Sequence, residues 1–537
     1  MNDSTPHYRD NDPTPNPKPV AQFEREQLLQ HIVFDEIESK YGGVYIWLVA
    51  CAAALGGLLF GYDLTVVSGV LVMIGDDFGA PLTSSEQELL ASITSIGAFL
   101  GALIAGFLLD RIGRKAVIGL GALVFAVGSL LQAASYSVDS LLLGRFVVGL
   151  GIGEAAMVAP IYIAEIAPAQ LRGSLVTVDG LAITGGEVVA AAGNIYFQGL
   201  PQHTGWRWAV GVAAVPAFLL FALCFIIPES PRTLIFKDKL DEAFVVTSKI
   251  YPHATAEEVH TKIGSIKSQF QRDAHLLNLS TAKQFELLFT DRANLRALIV
   301  ACGLMAISQF SGSNGVFYYA PEIFGVVGFS DPIQVTVLVA LTNFCFGLFA
   351  LKYIDTVGRR KFLVSSMWGM PVCLVIVAFG LNRIPTAAEG TDPSTQVLTL
   401  SGIVVLLAVL GFIASYALAL GIVPWQGNEL FPMEVRSLGT MMLTLTCWSS
   451  NFVVTSTFLT LMEKLKPAGT FLLYALINFL GWIAVIFCYP EVSGLPLEDV
   501  KNVFMHGFGV KYSLKLQNER KLALIEGVLR DEGQVFS

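Results

Sequence analysis

Two charged residues inside apolar runs carry the first chemical signal. Asp63 lies in LLFGYDLTVVSG and Arg145 in GRFVVGLGIG. Asp63 stands some 18 residues, roughly 27 Å, along its run, and Arg145 about six residues, roughly 9 Å, into a run that crosses in the opposite sense. Those positions bring opposite charges to a similar depth. A carboxylate inside a membrane span is costly and by default functional. A nearby arginine favours its ionised form and desolvation its neutral form, the competition a proton-coupling acid needs. A static ion pair bracing the first and fourth spans is the other reading of the same residues.

Amides in apolar runs form a second set: Gln309 and Asn314 in SQFSGSNG, Asn343, Asn451 with Trp448, and Gln426 with Trp425. An uncharged polyol needs such groups, because each hydroxyl stripped of water must be paired again and the C–H faces need an apolar or aromatic wall. Gln309 and Asn314 point about 140° apart on an ideal helix. Unwinding at the intervening glycine lets both face one cavity. Hydrogen bonding between helices is the alternative for each amide, and packing or interfacial anchoring for each tryptophan. Glu187 in TGGE has three readings: a substrate contact, a member of the proton path, or a protonated group acting like glutamine.

These side chains need membrane helices to hold them. The chain has 537 residues, 54% of them apolar and only 14% charged, against roughly 25% charged in ordinary globular proteins. A soluble multidomain enzyme does not fit that composition. The net charge of −9 leaves no basic excess for nucleic acid. The seven cysteines sit in apolar runs without CxxC spacing, so neither a disulfide framework nor a metal site is expected. No nucleophile–base pair, HExxH or phosphate loop appears, so no enzyme and no cofactor is expected.

Of the 77 charged residues, 44 fall in residues 1–44, 228–296 and 490–537. The rest of the chain reads as twelve apolar runs long enough to cross a bilayer, near 45–73, 88–109, 116–135, 139–163, 173–198, 205–227, 297–325, 333–353, 361–382, 400–428, 437–462 and 468–489. An all-α membrane protein follows, with an N-terminal tail at 1–44, six spans in 45–227, a polar linker at 228–296, six spans in 297–489, and a tail at 490–537. The amphipathic patches LDEAFVVTSKI and EEVHTKIGSIKSQF predict short linker helices lying under the bundle as a latch. Residues 1–44 are polar and acidic, and no cleavable signal peptide is expected there.

Short loops with Lys and Arg follow the even-numbered spans: Arg111, Arg114 and Lys115, then Arg172, Arg232, Arg359 with Arg360 and Lys361, and Arg436. That bias predicts both termini and the linker on the cytoplasmic side. The sequons at Asn2 and Asn278 then face the cytoplasm and are expected to stay unglycosylated.

The two halves repeat. DRIGRK at 110–115 recurs as DTVGRRK at 355–361, and Glu165 with Arg172 recurs as Glu429 with Arg436 at the same offset of seven. Pro228-Glu229-Ser230 is answered by Pro490-Glu491-Val492. Positive-inside topology alone explains the cations but not the acidic partners at matching places. Asp110, Arg111 and Arg114 with Asp355, Arg359 and Arg360 are expected to pair with Glu165, Arg172, Glu229, Glu429, Arg436 and Glu491. Such a network holds the halves together when the cavity faces outward. Duplicated six-plus-six chains bind their ligand between the halves and alternate access.

These motifs, with Gly144-Arg145, resemble the sugar porter family of the major facilitator superfamily from about Tyr45 to Val500. Within it, ITGGE at 183–187, VPWQGNELFP at 423–432, PAGTF at 467–471 and PEVSGLPLEDV at 490–500 are most similar to fungal myo-inositol transporters. The resemblance implies the major facilitator fold, a functional monomer in a lipid bilayer, and a plasma-membrane location. It also favours symport, because proton symporters of this kind carry Asp in the GYD position where uniporters carry Asn. The family's QQxxGxN pattern matches Gln309 and Asn314, but its first Gln is Ser308 here. Its substrate-contacting Gln in span five falls on Gly180, with Asp179 beside it, and inositol-type relatives usually have Gln where Glu187 stands. Trp425 lies four residues before Glu429 rather than the usual five. Proton-coupled import of myo-inositol is therefore the expectation, with a hexose–proton symporter and a transporter-like nutrient sensor as alternatives. Sensors tend to have long cytoplasmic extensions, and only 46 residues follow Glu491.

Overall fold

The computed structural model describes residues 37, 40–168, 171–201, 203–277, 281–329, 331–383, 400–492 and 497–518. All regular structure among them is helical. The first half contains α1 (Gly43–Ile74), α2 (Ser84–Ile112), α3 (Arg114–Ala133), α4 (Val138–Ile166), α5 (Arg172–Gln198), and a sixth span broken into α6 (Gly205–Gly211) and α7 (Ala214–Ile226). Four linker helices follow: α8 (Pro231–Phe236), α9 (Leu240–Ile250), α10 (Ala256–Leu277) and α11 (Thr281–Thr290).

The second half begins with α12 (Arg292–Phe310), α13 (Ser313–Val327) and α14 (Pro332–Val357). It continues through α15 (Arg359–Met367), α16 (Gly369–Leu381) and α17 (Leu400–Leu418), then a 3-10 segment (Val423–Leu430). It closes with α18 (Arg436–Thr455), α19 (Phe458–Lys464) and α20 (Lys466–Cys488). Beyond it lie α21 (Leu497–Met505) and a helix over 510–518.

Eleven described helical stretches are long and apolar enough to cross a membrane. The exception among the twelve expected spans is α18, whose Thr440, Thr444, Thr446, Ser449, Ser450 and Asn451 dilute its apolar character. Its place explains this: α18 packs on α12 and, from the other half, on α2, so much of its surface faces protein. Large apolar side chains such as Phe107, Phe225, Leu407 and Phe487 point outward, as a lipid-facing surface requires.

Small residues bring the site-bearing helices together. A Cβ on Gly61 of α1 would lie 1.8 Å from the Ile183 carbonyl oxygen of α5, and one on Gly186 of α5 would lie 2.2 Å from the Leu58 carbonyl oxygen. The two backbones are in contact along this seam. Farther along it, the Asn194 amide donates to the carbonyls of Thr65 (3.4 Å) and Val66 (3.3 Å). The halves meet where α2 packs on α18, α5 on α14 and α1 on α13.

The two amphipathic patches of the linker are helical, LDEAFVVTSKI forming α9 and EEVHTKIGSIKSQF lying within α10. Leu234, Ile235, Ala243, Val259 and Ile263 of α8–α10 form a small core of their own. The chain entering α1 is tied to it: the Lys40 ammonium donates to Glu258 at 2.6 Å and the Gly42 N–H to the Ile250 carbonyl at 2.8 Å. The Lys40 hydrogen bond holds the Glu258 carboxyl below the usual carboxylate range. The C-terminal segment, read from sequence only as a tail, also docks. Val500, Val503 and Phe504 are buried, α21 packs on α12, and Arg296 donates to the Phe504 carbonyl at 2.8 Å.

Candidate functional site

Asp63 and Arg145 meet as their depths predict. The Arg145 guanidinium donates to the Asp63 carboxylate at 2.8 Å, and both side chains are buried. Arg145 Nε also donates to the Leu90 carbonyl at 3.0 Å, which ties the pair to α2. One guanidinium nitrogen, Nη2, is buried without a hydrogen-bond partner.

The amides also converge. Between α12 and α13 the helix breaks at Gly312, whose φ of 88° is left-handed backbone that glycine adopts without cost. Across the break the Asn314 amide donates to Gln309 Oε1 at 2.6 Å, and Asn451 of α18 donates to the same oxygen at 3.2 Å. Gln309 Nε2 in turn reaches the Cys447 sulfur at 3.4 Å. Asn451 Oδ1 accepts from Ser95 of α2 at 2.9 Å, so the amide cluster of the second half is anchored to the first.

A second cross-half contact joins α5 to α14: the Asn343 amide donates to the Glu187 carboxylate at 2.7 Å. The Trp448 ring packs edge-on to Phe60 of α1, with centroids 5.4 Å apart. The indole N–H of Trp448 and the amide oxygen of Gln426 are buried with no hydrogen-bond partner. Such orphans are costly, and they offer one donor and one acceptor to a hydroxylated ligand. Trp425 is 38% exposed, unlike Trp448.

Three further bonds cross between the halves near the start of α2, at the end of the bundle away from the charged repeats. Glu88 accepts from the Thr460 N–H and hydroxyl, each at 2.7 Å, and the Ser84 hydroxyl donates to Glu463. Ser84, Glu88, Thr460 and Glu463 carry no motif in the sequence. Their only signal was acidic and hydroxyl side chains near span ends.

At the charged end the repeats build matching local structures. The Glu229 carboxylate accepts from the backbone N–H groups of Arg114 (3.1 Å) and Lys115 (3.3 Å) at the start of α3. Glu491 accepts from the Arg360 N–H (3.0 Å) at the start of α15. The carboxylate fits because the preceding residue is glycine in left-handed backbone: Gly113 has φ 104° and Gly358 φ 95°. A Cβ there would lie 2.3 Å from Glu229 Oε2 and 2.6 Å from Glu491 Oε2. Arg114 pairs with Glu165 at 3.2 Å and Arg359 with Glu429 at 3.3 Å. Arg360 donates to the carbonyls of Val485 (3.0 Å), Ile486 (2.7 Å) and Tyr489. Arg436 donates to Phe431 (3.2 Å).

Each of these pairs lies within one half, whereas the bonds at the opposite end cross between halves. Arg111 and Arg232 are exposed. The side chains of Asp110, Arg172 and Asp355 lie outside the described residues.

A duplicated bundle with a break in a central helix and polar groups converging between the halves defines a membrane transporter of the major facilitator fold. Comparison with known proteins sharpens this. Residues 49–504 match the family model described as "Sugar (and other) transporter", and the chain belongs to that family. It is 41% identical to myo-inositol transporter 1 of Cryptococcus neoformans var. grubii, over 89% of this chain and 84% of that protein. It is 37% identical to myo-inositol transporter 2 of Schizosaccharomyces pombe, over 88% and 84%. Among solved structures it is similar to the inward open conformation of the xylose transporter XylE from E. coli, at TM-score 0.70 and 26% identity over 86% of this chain and 100% of that one. A similar match is the proton:xylose symporter XylE bound to 6-bromo-6-deoxy-D-glucose, at TM-score 0.71 and 26% identity, with the same coverage.

Proposed function

We propose that the protein imports myo-inositol together with protons by alternating access between its two halves. The observation that carries this reading is the buried Asp63–Arg145 pair lying in the same bundle as a neutral amide cluster. Protonation of Asp63 removes the charge that Arg145 holds and so releases α1 from α4. The relatives named as myo-inositol transporters and the neighbour named as a proton symporter support the substrate and the coupling.

Gln309, Asn314, Asn343, Asn451, Gln426, Trp448, Trp425 and Glu187 are the groups we assign to the polyol. A cyclic hexitol carries a hydroxyl on every ring carbon, and amides can donate and accept at each. With the repeats on the cytoplasmic side, the bonds crossing near Ser84, Glu88 and Ser95 close the outside, and the inner end is the open one. The charge pairs that here close within each half are the inner gate, which re-forms between halves when the cavity faces outward. The linker core acts as the latch below it. A monomer with cytoplasmic termini in the plasma membrane fits this assignment.

The test is uptake of labelled myo-inositol into transporter-deficient cells, with and without a protonophore and against excess glucose. Protonophore-sensitive uptake that glucose barely reduces supports the proposal. Uptake blocked by glucose makes the protein a hexose carrier, and no uptake favours a sensor.

A further inference from the structure

We propose that Asp179 is a second proton-carrying carboxylate, an inner station between Asp63 and the charged end of the bundle. This rests on the proton-coupled reading above and extends it to a residue with no assigned role.

Asp179 lies on α5 in the seam against α1. It is 6% exposed, and its Oδ1 is buried with no hydrogen-bond partner. Room for the carboxylate comes from Gly57 of α1, where a Cβ would sit 2.7 Å from Asp179 Oδ1. No described charged side chain on the packed helices pairs with it: Asp63 is held by Arg145, Glu165 of α4 by Arg114, and Glu154 of α4 lies against Gly121 of α3. A buried carboxyl without a cation or a donor is costly as an anion and rests as the neutral acid.

The seam also sets its position. Gly57 faces Asp179, Gly61 faces Ile183, and Gly186 faces Leu58 and Tyr62, so α1 and α5 run parallel and Asp63 stands level with Glu187. Asp179 is eight residues earlier on α5, about 12 Å nearer the charged end. Beside it, a Cβ on Gly180 would meet nothing within 4 Å, so the helix borders open space there. In the proposed sequence Asp63, protonated from outside, loses its proton to water admitted into the cavity. Asp179, resting as the neutral acid, gives its proton to cytoplasmic water and takes the one released by Asp63 from the cavity water, so that it returns to the neutral acid. One proton enters and one leaves, and no other group changes.

The test uses the full-length protein in proteoliposomes containing a pH-sensitive dye, with wild type, Asp179→Asn and Asp179→Glu. Substrate-driven proton entry is measured beside counterflow exchange of labelled myo-inositol, which needs no net proton movement. Asp179→Asn is expected to keep counterflow within about twofold of wild type while proton entry falls at least about fivefold, and Asp179→Glu to restore it. Equal loss of counterflow and proton entry in Asp179→Asn, with no rescue by Glu, would mean a packing role and overturn the proposal. Unchanged proton entry in Asp179→Asn would overturn it as well. Wild-type counterflow without proton entry would instead sink the coupled reading itself, and this proposal with it.

Discussion

Asn343 of α14 donates to Glu187 of α5 at 2.7 Å, joining the two halves of the transporter through a carboxylate with no described cation beside it. A carboxyl paired only with an amide does its work as an acceptor, which a glutamine oxygen can replace. Glu187→Gln should therefore keep myo-inositol uptake near wild type, and Glu187→Leu should lower kcat/KM about tenfold, the effect of roughly one lost buried hydrogen bond. Initial-rate uptake measures both. A large loss in Glu187→Gln would show that the charge itself is used.

Glu88 holds Thr460 by two hydrogen bonds of 2.7 Å from the opposite half. Bonds to a charged group contribute about 1.5–3 kcal/mol each, so Glu88→Ala should shift the population toward the outward-open form. Ser95→Cys, buried beside Asn451, then reacts with an external impermeant thiol reagent at least about tenfold faster in the Glu88→Ala background. An unchanged labelling rate would remove Glu88 from the outer closure.

Gly113 and Gly358 predict a matched pair of defects. Alanine at either position meets both left-handed backbone, worth about 1–2 kcal/mol, and a carboxylate oxygen where its Cβ must go. Gly113→Ala and Gly358→Ala should each lower thermal stability by several degrees and cut uptake. The second mutation added to the first should cost nearly its full amount, because the sites lie in different halves.

Lys501 tests the docked C-terminal segment. It pairs with Glu434 and with Asp291 at 3.4 Å. Partial burial is the largest single influence and pulls its pKa down, but the hydrogen bonds and charges of Glu434 and Asp291 together outweigh it and hold the ammonium above its ordinary value. A raised pKa gives stability that is present below the ordinary lysine value and lost only as pH rises through the raised one. The destabilisation by Lys501→Met, about 1 kcal/mol, should therefore be constant from about pH 7 to 9 in thermal melts. It should shrink only in stronger alkali.

Much of this was legible in the sequence because membrane spans announce themselves by composition and the repeats by their charges. Asp63 and Arg145 were found from depth alone, and the unwinding that joins Gln309 to Asn314 from the glycine between them. What stayed hidden depends on partners far along the chain. Glu187 meets Asn343, 156 residues away, and Asp179 owes its space to a missing side chain on Gly57. The low hydropathy of α18 is the mark of a helix that faces the other half. The docking of α21 left no more signal than a short amphipathic stretch after the last span.

In the proposed mechanism Asp63 couples substrate movement to proton entry. Purified wild type and Asp63→Asn in proteoliposomes, with labelled myo-inositol and an inward proton gradient, give the most direct measurement. Wild type is expected to accumulate substrate above equilibrium, and Asp63→Asn only to equilibrate it while still exchanging it. Undiminished accumulation by Asp63→Asn would rule out a coupling role for Asp63.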